Sequence, residues 1–163
     1  MSHPISALGA FHTALSVIPL VAGLAAFERD GKIIPSSVLG KVYWGGMAAS
    51  VVTAFGLSST GGFNPGHALG ILALVVMAIA TLAPRFLGRV GAYVQVALMS
   101  FSFFLLMVPG TNETLSRLPV GHPIGNGPDS PPVQLALGVV FVVFFVGTVY
   151  QLVQLRRRRA AAA

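Results

Sequence analysis

Apolar residues run through this chain in five long blocks, at about 4–27, 38–57, 67–83, 90–109 and 133–155. Shorter segments rich in Gly, Pro and charge separate them. A helix rises about 1.5 Å per residue, so a hydrocarbon core of roughly 30 Å takes about 20 residues to cross. Four blocks meet that length. The third is short, and the Phe86-Leu87 pair beyond Pro84 extends its apolar reach. The pattern predicts an all-α fold: an integral membrane bundle of five transmembrane helices forming one domain over 1–159, with a short Ala tail at 160–163.

Charge orients this bundle. Nine of the ten Lys and Arg residues fall on one side of the predicted spans. Arg29, Lys32 and Lys41 flank the first link, Arg85 and Arg89 the third, and Arg156, Arg157, Arg158 and Arg159 follow the last helix. Arg117 is alone on the other side. Basic loops stay in the cytoplasm, so the N-terminus is expected outside and the C-terminus inside. That orientation requires an odd number of spans, in agreement with five. The first block reads as a span and not a signal peptide, because no basic segment precedes it and Arg29 follows it.

Composition narrows the function classes. Charged residues make up 9% of the chain, against about a quarter in soluble domains. The net charge of +6 is a basic rim that suits a lipid bilayer, with anionic lipid at Arg156–Arg159. It does not suggest nucleic acid. There is no Cys, which removes disulfides, thiolate metal sites, iron–sulfur clusters and Cys nucleophiles. No carboxylate falls inside a span, which disfavours an ion pump. An inverted-repeat transporter is disfavoured by the odd span count. The setting expected is the plasma or inner membrane of a bacterium.

Local signals fill in the helices. Asn64-Pro65 and Ser130-Pro131 read as a cap followed by a first-turn proline. Pro84 is expected to stop the third helix, and Pro109-Gly110 the fourth. Pro19 leaves the Leu15 carbonyl without its N–H partner. Phe27, Tyr43, Trp44, Tyr93 and Tyr150 lie near basic helix ends, where aromatic rings form a headgroup belt. Gly23, Gly45, Gly46, Ala49, Gly138 and Gly147 are expected to make close packing faces. A homo- or hetero-oligomer is compatible with such a chain.

Candidate chemistry collects at the opposite end from the arginines. His3, His12, His67 and His122 all map to the outer half. Imidazole is the commonest metal ligand among side chains. His12, His67, Glu113 and His122 therefore form the candidate metal set, within a concave pocket closed by the segment 110–131. The bland alternatives stay open. His67 can be a headgroup-level residue of a first turn, and His122 part of a solvated loop. Glu113 and Arg117 can be a surface pair one helical turn apart. His12 stands apart because it falls roughly 12 Å inside its helix, where an ionisable group faces the bundle and has a purpose. Ser16 and Pro19 share its face, and Thr53 and Ser102 are expected at a similar depth. Haem requires two axial ligands at matching depth. His12 and His67 are the cofactor candidates, but His67 reads as only about 4 Å inside its helix. Met99 and Met107 are weaker partners.

His12 with Gly23, then Leu39-Gly40-Lys41-Val42-Tyr43, then His67, then Asn112-Glu113 and Arg117 resemble a bacterial family of small multi-pass membrane proteins with a domain of unknown function. The likeness covers about residues 8–120. It also carries a weak similarity to haem-binding, ferric-reductase-like membrane proteins. Relatives hold a His-basic pair where this chain has Ser36 and Ser37, and often a His where it has Gln95. Two functions follow as expectations. One is a non-enzymatic helical bundle acting as an accessory subunit or small-ligand module. The other is a redox protein with haem or a transition metal in the outer half.

Overall fold

The computed structural model describes residues 6–57 and 62–161. Among them are five α-helices and no strand: α1 (Ala7–Asp30), α2 (Val38–Ala54), α3 (Pro65–Phe86), α4 (Gly88–Arg117) and α5 (Pro131–Ala160). A 3-10 turn, Phe55–Leu57, prolongs α2. Each helix, with that turn added to α2, is long and apolar enough to cross a membrane. His3 lies outside the described residues.

The helix starts follow from side chains that accept orphan N–H groups. Ser6 accepts from the Gly9 N–H at 3.0 Å, and Ser37 accepts from the Gly40 N–H at 3.0 Å. Gly40 is dictated by a second contact, because a Cβ there would lie 1.8 Å from the Ile34 carbonyl oxygen. Asn64 caps α3, as the sequence indicates. Ser130 occupies the cap position of α5, but its hydroxyl donates to the Gly127 carbonyl at 2.8 Å and makes no cap bond.

Two expected helix stops are corrected. Pro84 lies inside α3, which ends at Phe86, and Pro109 lies inside α4, which continues to Arg117. Proline's fixed φ is helical; its cost is the missing N–H and the carbonyl left behind one turn earlier. For Pro84 that carbonyl is on Ala80, and the Gln95 side-chain amide of α4 donates to it at 3.1 Å. A neighbouring helix thus replaces the lost donor. The link between α4 and α5 is correspondingly shorter, 118–130, and residues 110–117 are helical. At 30 residues, α4 is roughly 45 Å long, so its ends outrun a hydrocarbon core of about 30 Å.

Helices α1 and α2 pack together, as do α3 and α4, and α1 also meets α4. The Phe27 and Phe103 rings meet edge-on at 5.1 Å across that last contact. The centre is built of small residues, Ala22, Ala26, Ala73 and Ala80, with Met47, Met77 and Met99 filling the gaps between them. Close approach of backbones, and not exclusion of water, is what holds such helices together in an apolar medium. Gly23 and Gly46 serve this purpose. A Cβ on Gly23 would lie 2.6 Å from the Phe103 ring, and one on Gly46 would lie 2.7 Å from Pro19 Cδ. Gly45, Gly138 and Gly147 do not, since a Cβ on any of them would meet open space.

Tyr43 is the largest departure from the sequence reading. It is fully buried and not a rim residue. Its hydroxyl bonds to Ser102 Oγ at 2.8 Å, and Ser102 donates in turn to the Met99 carbonyl at 2.8 Å. The polar tip finds its partner inside the bundle, so the ring need not reach a wet surface. Ser102 is thereby committed to Tyr43. Phe27 and Trp44 also pack against the core, while Tyr150 is exposed.

Helix α5 stands outside this core on the flank of α4. Phe101 and Phe104 of α4 meet Phe141 and Phe144 of α5, with Phe104 and Phe144 stacked at 5.0 Å. Ser100 donates to Gln151 at 2.9 Å across the same seam. Only 6% of the apolar window of α5 is buried, against 22–33% for the other four helices.

Candidate functional site

The alternation of helix direction places the N-termini of α1, α3 and α5 at one end of the molecule, with the C-termini of α2 and α4. His12, His67, Glu113 and His122 all belong to this end. The two buried or half-buried histidines are held in different ways.

His67 is the third residue of α3 and is 4% exposed. Its Nδ1 accepts the Asn64 backbone N–H at 3.3 Å, while Asn64 Oδ1 accepts the His67 N–H at 3.1 Å. This is a capping box in which imidazole takes the place of the usual acid or amide. Because Nδ1 accepts, Nε2 carries the proton, and it donates to the Ala54 carbonyl at the end of α2 at 3.1 Å. The ring stacks on Phe55 at 4.6 Å and lies beside Phe63 at 5.7 Å. Both nitrogens are used, and the residue ties the start of α3 to the end of α2.

His12 is half-buried on α1. Its Nδ1 lies 2.9 Å from Thr53 Oγ1 of α2. Thr53 gives its single proton to the helix behind it, at 3.0 Å from the Ala49 carbonyl and 2.9 Å from that of Ser50. A hydroxyl whose proton is spent can only accept, so Nδ1 of His12 is the donor. Neutral His12 then carries its proton on Nδ1, and its Nε2 is a bare lone pair. Among the described residues, Ser16 Oγ bonds to that atom at 3.5 Å, a long contact. That hydroxyl is already engaged, donating to the His12 carbonyl at 2.8 Å and meeting Ser50 Oγ at 2.6 Å. The result is a four-residue layer, His12 and Ser16 on α1 with Ser50 and Thr53 on α2, in which His12 Nε2 has, among the described residues, only the long contact to Ser16.

Thr53 and Ser16 are where the sequence predicts them. Ser50 was missed, although its spacing of three from Thr53 on one helix, facing His12 and Ser16 at a spacing of four on the other, is the signal that finds it. Ser102, expected in the same layer, instead bonds Tyr43.

Glu113 stands on the last turns of α4. Its direct partner is Arg117, one turn on, and both side chains are exposed. His122 is exposed in the α4–α5 link. That link turns back on α4: the Gly125 N–H donates to the Leu115 carbonyl at 3.0 Å and the Gly127 N–H to Ser116 Oγ at 3.1 Å. Among the described residues no three of His, Asp and Glu are grouped as the ligands of a metal ion would be. His12 and His67 occupy separate hydrogen-bonded settings, and His12 Nε2 is the imidazole atom that the first of these leaves open.

No protein-family profile, no curated protein and no solved structure matches this chain.

Proposed function

We infer that this chain is a multi-pass protein of the plasma or inner membrane, N-terminus outside and C-terminus inside, that works as a non-enzymatic accessory subunit. Nine of its ten Lys and Arg residues collect at one end of the helices, which supports that orientation by the positive-inside rule. The accessory role rests on α5. Only 6% of the apolar window of this helix is buried; it joins the core along α4 and carries Gly138 and Gly147 with open space beside them. Small residues on an uncovered helix face admit close approach of another helix. Photo-crosslinking from Val142 in native membranes tests the reading. A discrete protein adduct is expected, and adducts to lipid alone would overturn it.

One observation favours a second reading, a membrane redox protein. His12 Nε2 is a bare imidazole nitrogen in the half of the bundle that faces outward in this topology, and such a nitrogen can ligate haem iron or a transition metal. The test is the absorption spectrum and metal content of the purified protein. A Soret band or stoichiometric metal that disappears in His12→Ala supports it, and a colourless, metal-free protein overturns it.

A further inference from the structure

At the basic end, the last turn of α5 does not run free. Arg159 Nη1 donates to the Arg89 carbonyl at 2.7 Å, and its guanidinium lies 5.3 Å from the centre of the Tyr93 ring. One arginine side chain therefore binds the end of α5 to the start of α4, beside a residue that is itself cationic. Arg85, on the last turn of α3, comes just before the tight junction to α4 at Gly88. The chain thus places Arg85, Arg89 and Arg156–Arg159 at the same end of α3, α4 and α5, with Arg159 turned onto the start of α4.

Nothing in the three helices balances that charge. The chain's four acids are Glu28, Asp30, Glu113 and Asp129. None lies in α3 or α5, and the one in α4 is at its far end. The helix ends supply no full counter-charge: the C-termini of α3 and α5 carry partial negative charge beside their last-turn arginines, and the N-terminus of α4, which has no side-chain cap, carries partial positive charge. Like charges gathered this way attract an anion. The apolar surroundings say which kind. Phe86, Leu87 and Val90 are interleaved with Arg85 and Arg89 and are 78%, 49% and 61% exposed. A soluble anion has no use for those side chains, whereas a lipid brings a phosphate and acyl chains together.

We propose that the basic end formed by Arg85, Arg89 and Arg159, extended by Arg156–Arg158, binds the phosphate headgroup of an anionic phospholipid, with preference for a lipid carrying two phosphates. Guanidinium groups meet phosphate oxygens two at a time, and basic sites where helices meet the cytoplasmic leaflet take such headgroups. The proposal rests on the reading of the chain as a membrane protein and deepens it.

The experiment is native mass spectrometry of the whole purified protein in neutral detergent, titrated with a two-phosphate anionic lipid, a one-phosphate anionic lipid and a zwitterionic lipid. Retention is expected in that order, with about tenfold between the first and the last. The triple variant Arg85→Gln, Arg89→Gln, Arg159→Gln is expected to lose that preference. The control Arg29→Gln, Lys32→Gln, at the α1–α2 link, is expected to keep it. An unchanged melting midpoint in neutral detergent shows that both variants fold. Equal retention of all three lipids would overturn the proposal, as would equal loss in the control variant, which would mean diffuse attraction. Displacement of the lipid by millimolar inorganic phosphate would overturn it in favour of a soluble anion. Micelle binding does not depend on which way the chain inserts, so failure here leaves the topology standing. Reporter fusions that reverse the topology would leave this binding result standing.

Discussion

His12 and His67 lie at the same end of the bundle, on helices that both pack against α2, and their fates are opposite. His67 meets backbone groups, the Asn64 N–H and the Ala54 carbonyl, and each takes one of its nitrogens. His12 meets the hydroxyls of Thr53 and Ser16 and the backbone of Ser50. The Thr53 hydroxyl has already given its proton to its own helix and takes the His12 proton, and Ser16 stays at 3.5 Å. Thr53 and Ala54 are neighbours on the last turn of α2, so position does not separate the two histidines. Ala54 offers His67 a carbonyl, one of the orphan acceptors of a helix end, whereas Thr53 offers His12 a hydroxyl already bonded back to its own helix. His67 is buried and His12 half-buried, but what sets their roles is the proton inventory of the neighbours.

The largest effect expected from breaking this contrast is at His67. His67→Ala removes the capping box, the bond to Ala54 and the stack on Phe55, and should cost about 3 kcal/mol, adding the loss of a cap to an orphaned buried carbonyl. Thermal unfolding in detergent checks it. A cost below that of His12→Ala would break the contrast. Thr53→Val leaves the His12 Nδ1–H without its acceptor and should cost about 1 kcal/mol, the scale of an interhelical hydrogen bond in a membrane protein. Glu113→Gln should change stability by less than about 0.5 kcal/mol, since the Arg117 pair is exposed. A larger loss would mean that Glu113 supports His12 directly.

Much of this was legible in the sequence, for identifiable reasons. Five helices long and apolar enough to span follow from block length alone. The cap at Asn64 and the Glu113–Arg117 pair follow from spacing, while Thr53 follows from depth alone, a signal that also put Ser102 beside His12. Pro84 and Pro109 misled because a proline's effect depends on who replaces its N–H, and the Gln95 amide that does so at Pro84 comes from another helix. Tyr43 misled for a related reason. Its position near a basic helix end indicates a rim residue, but Ser102 sits 59 positions away and gives its hydroxyl a partner inside. Gly45, Gly138 and Gly147 look like Gly23 and Gly46 in composition, and only the paths of the neighbouring helices separate the two groups. His67 was legible as a first-turn residue, but not as a cap that uses both ring nitrogens.

The central claim is that His67 is spent on structure while His12 keeps an open nitrogen. Nitrogen-15 NMR of histidine-labelled protein in lipid bilayers at neutral pH reads it directly, with His12→Gln and His67→Gln for assignment. The account predicts opposite tautomers: a proton on Nδ1 and a bare Nε2 at His12, and a proton on Nε2 with an accepting Nδ1 at His67. The same tautomer at both sites, or a proton on Nε2 of His12, would contradict it.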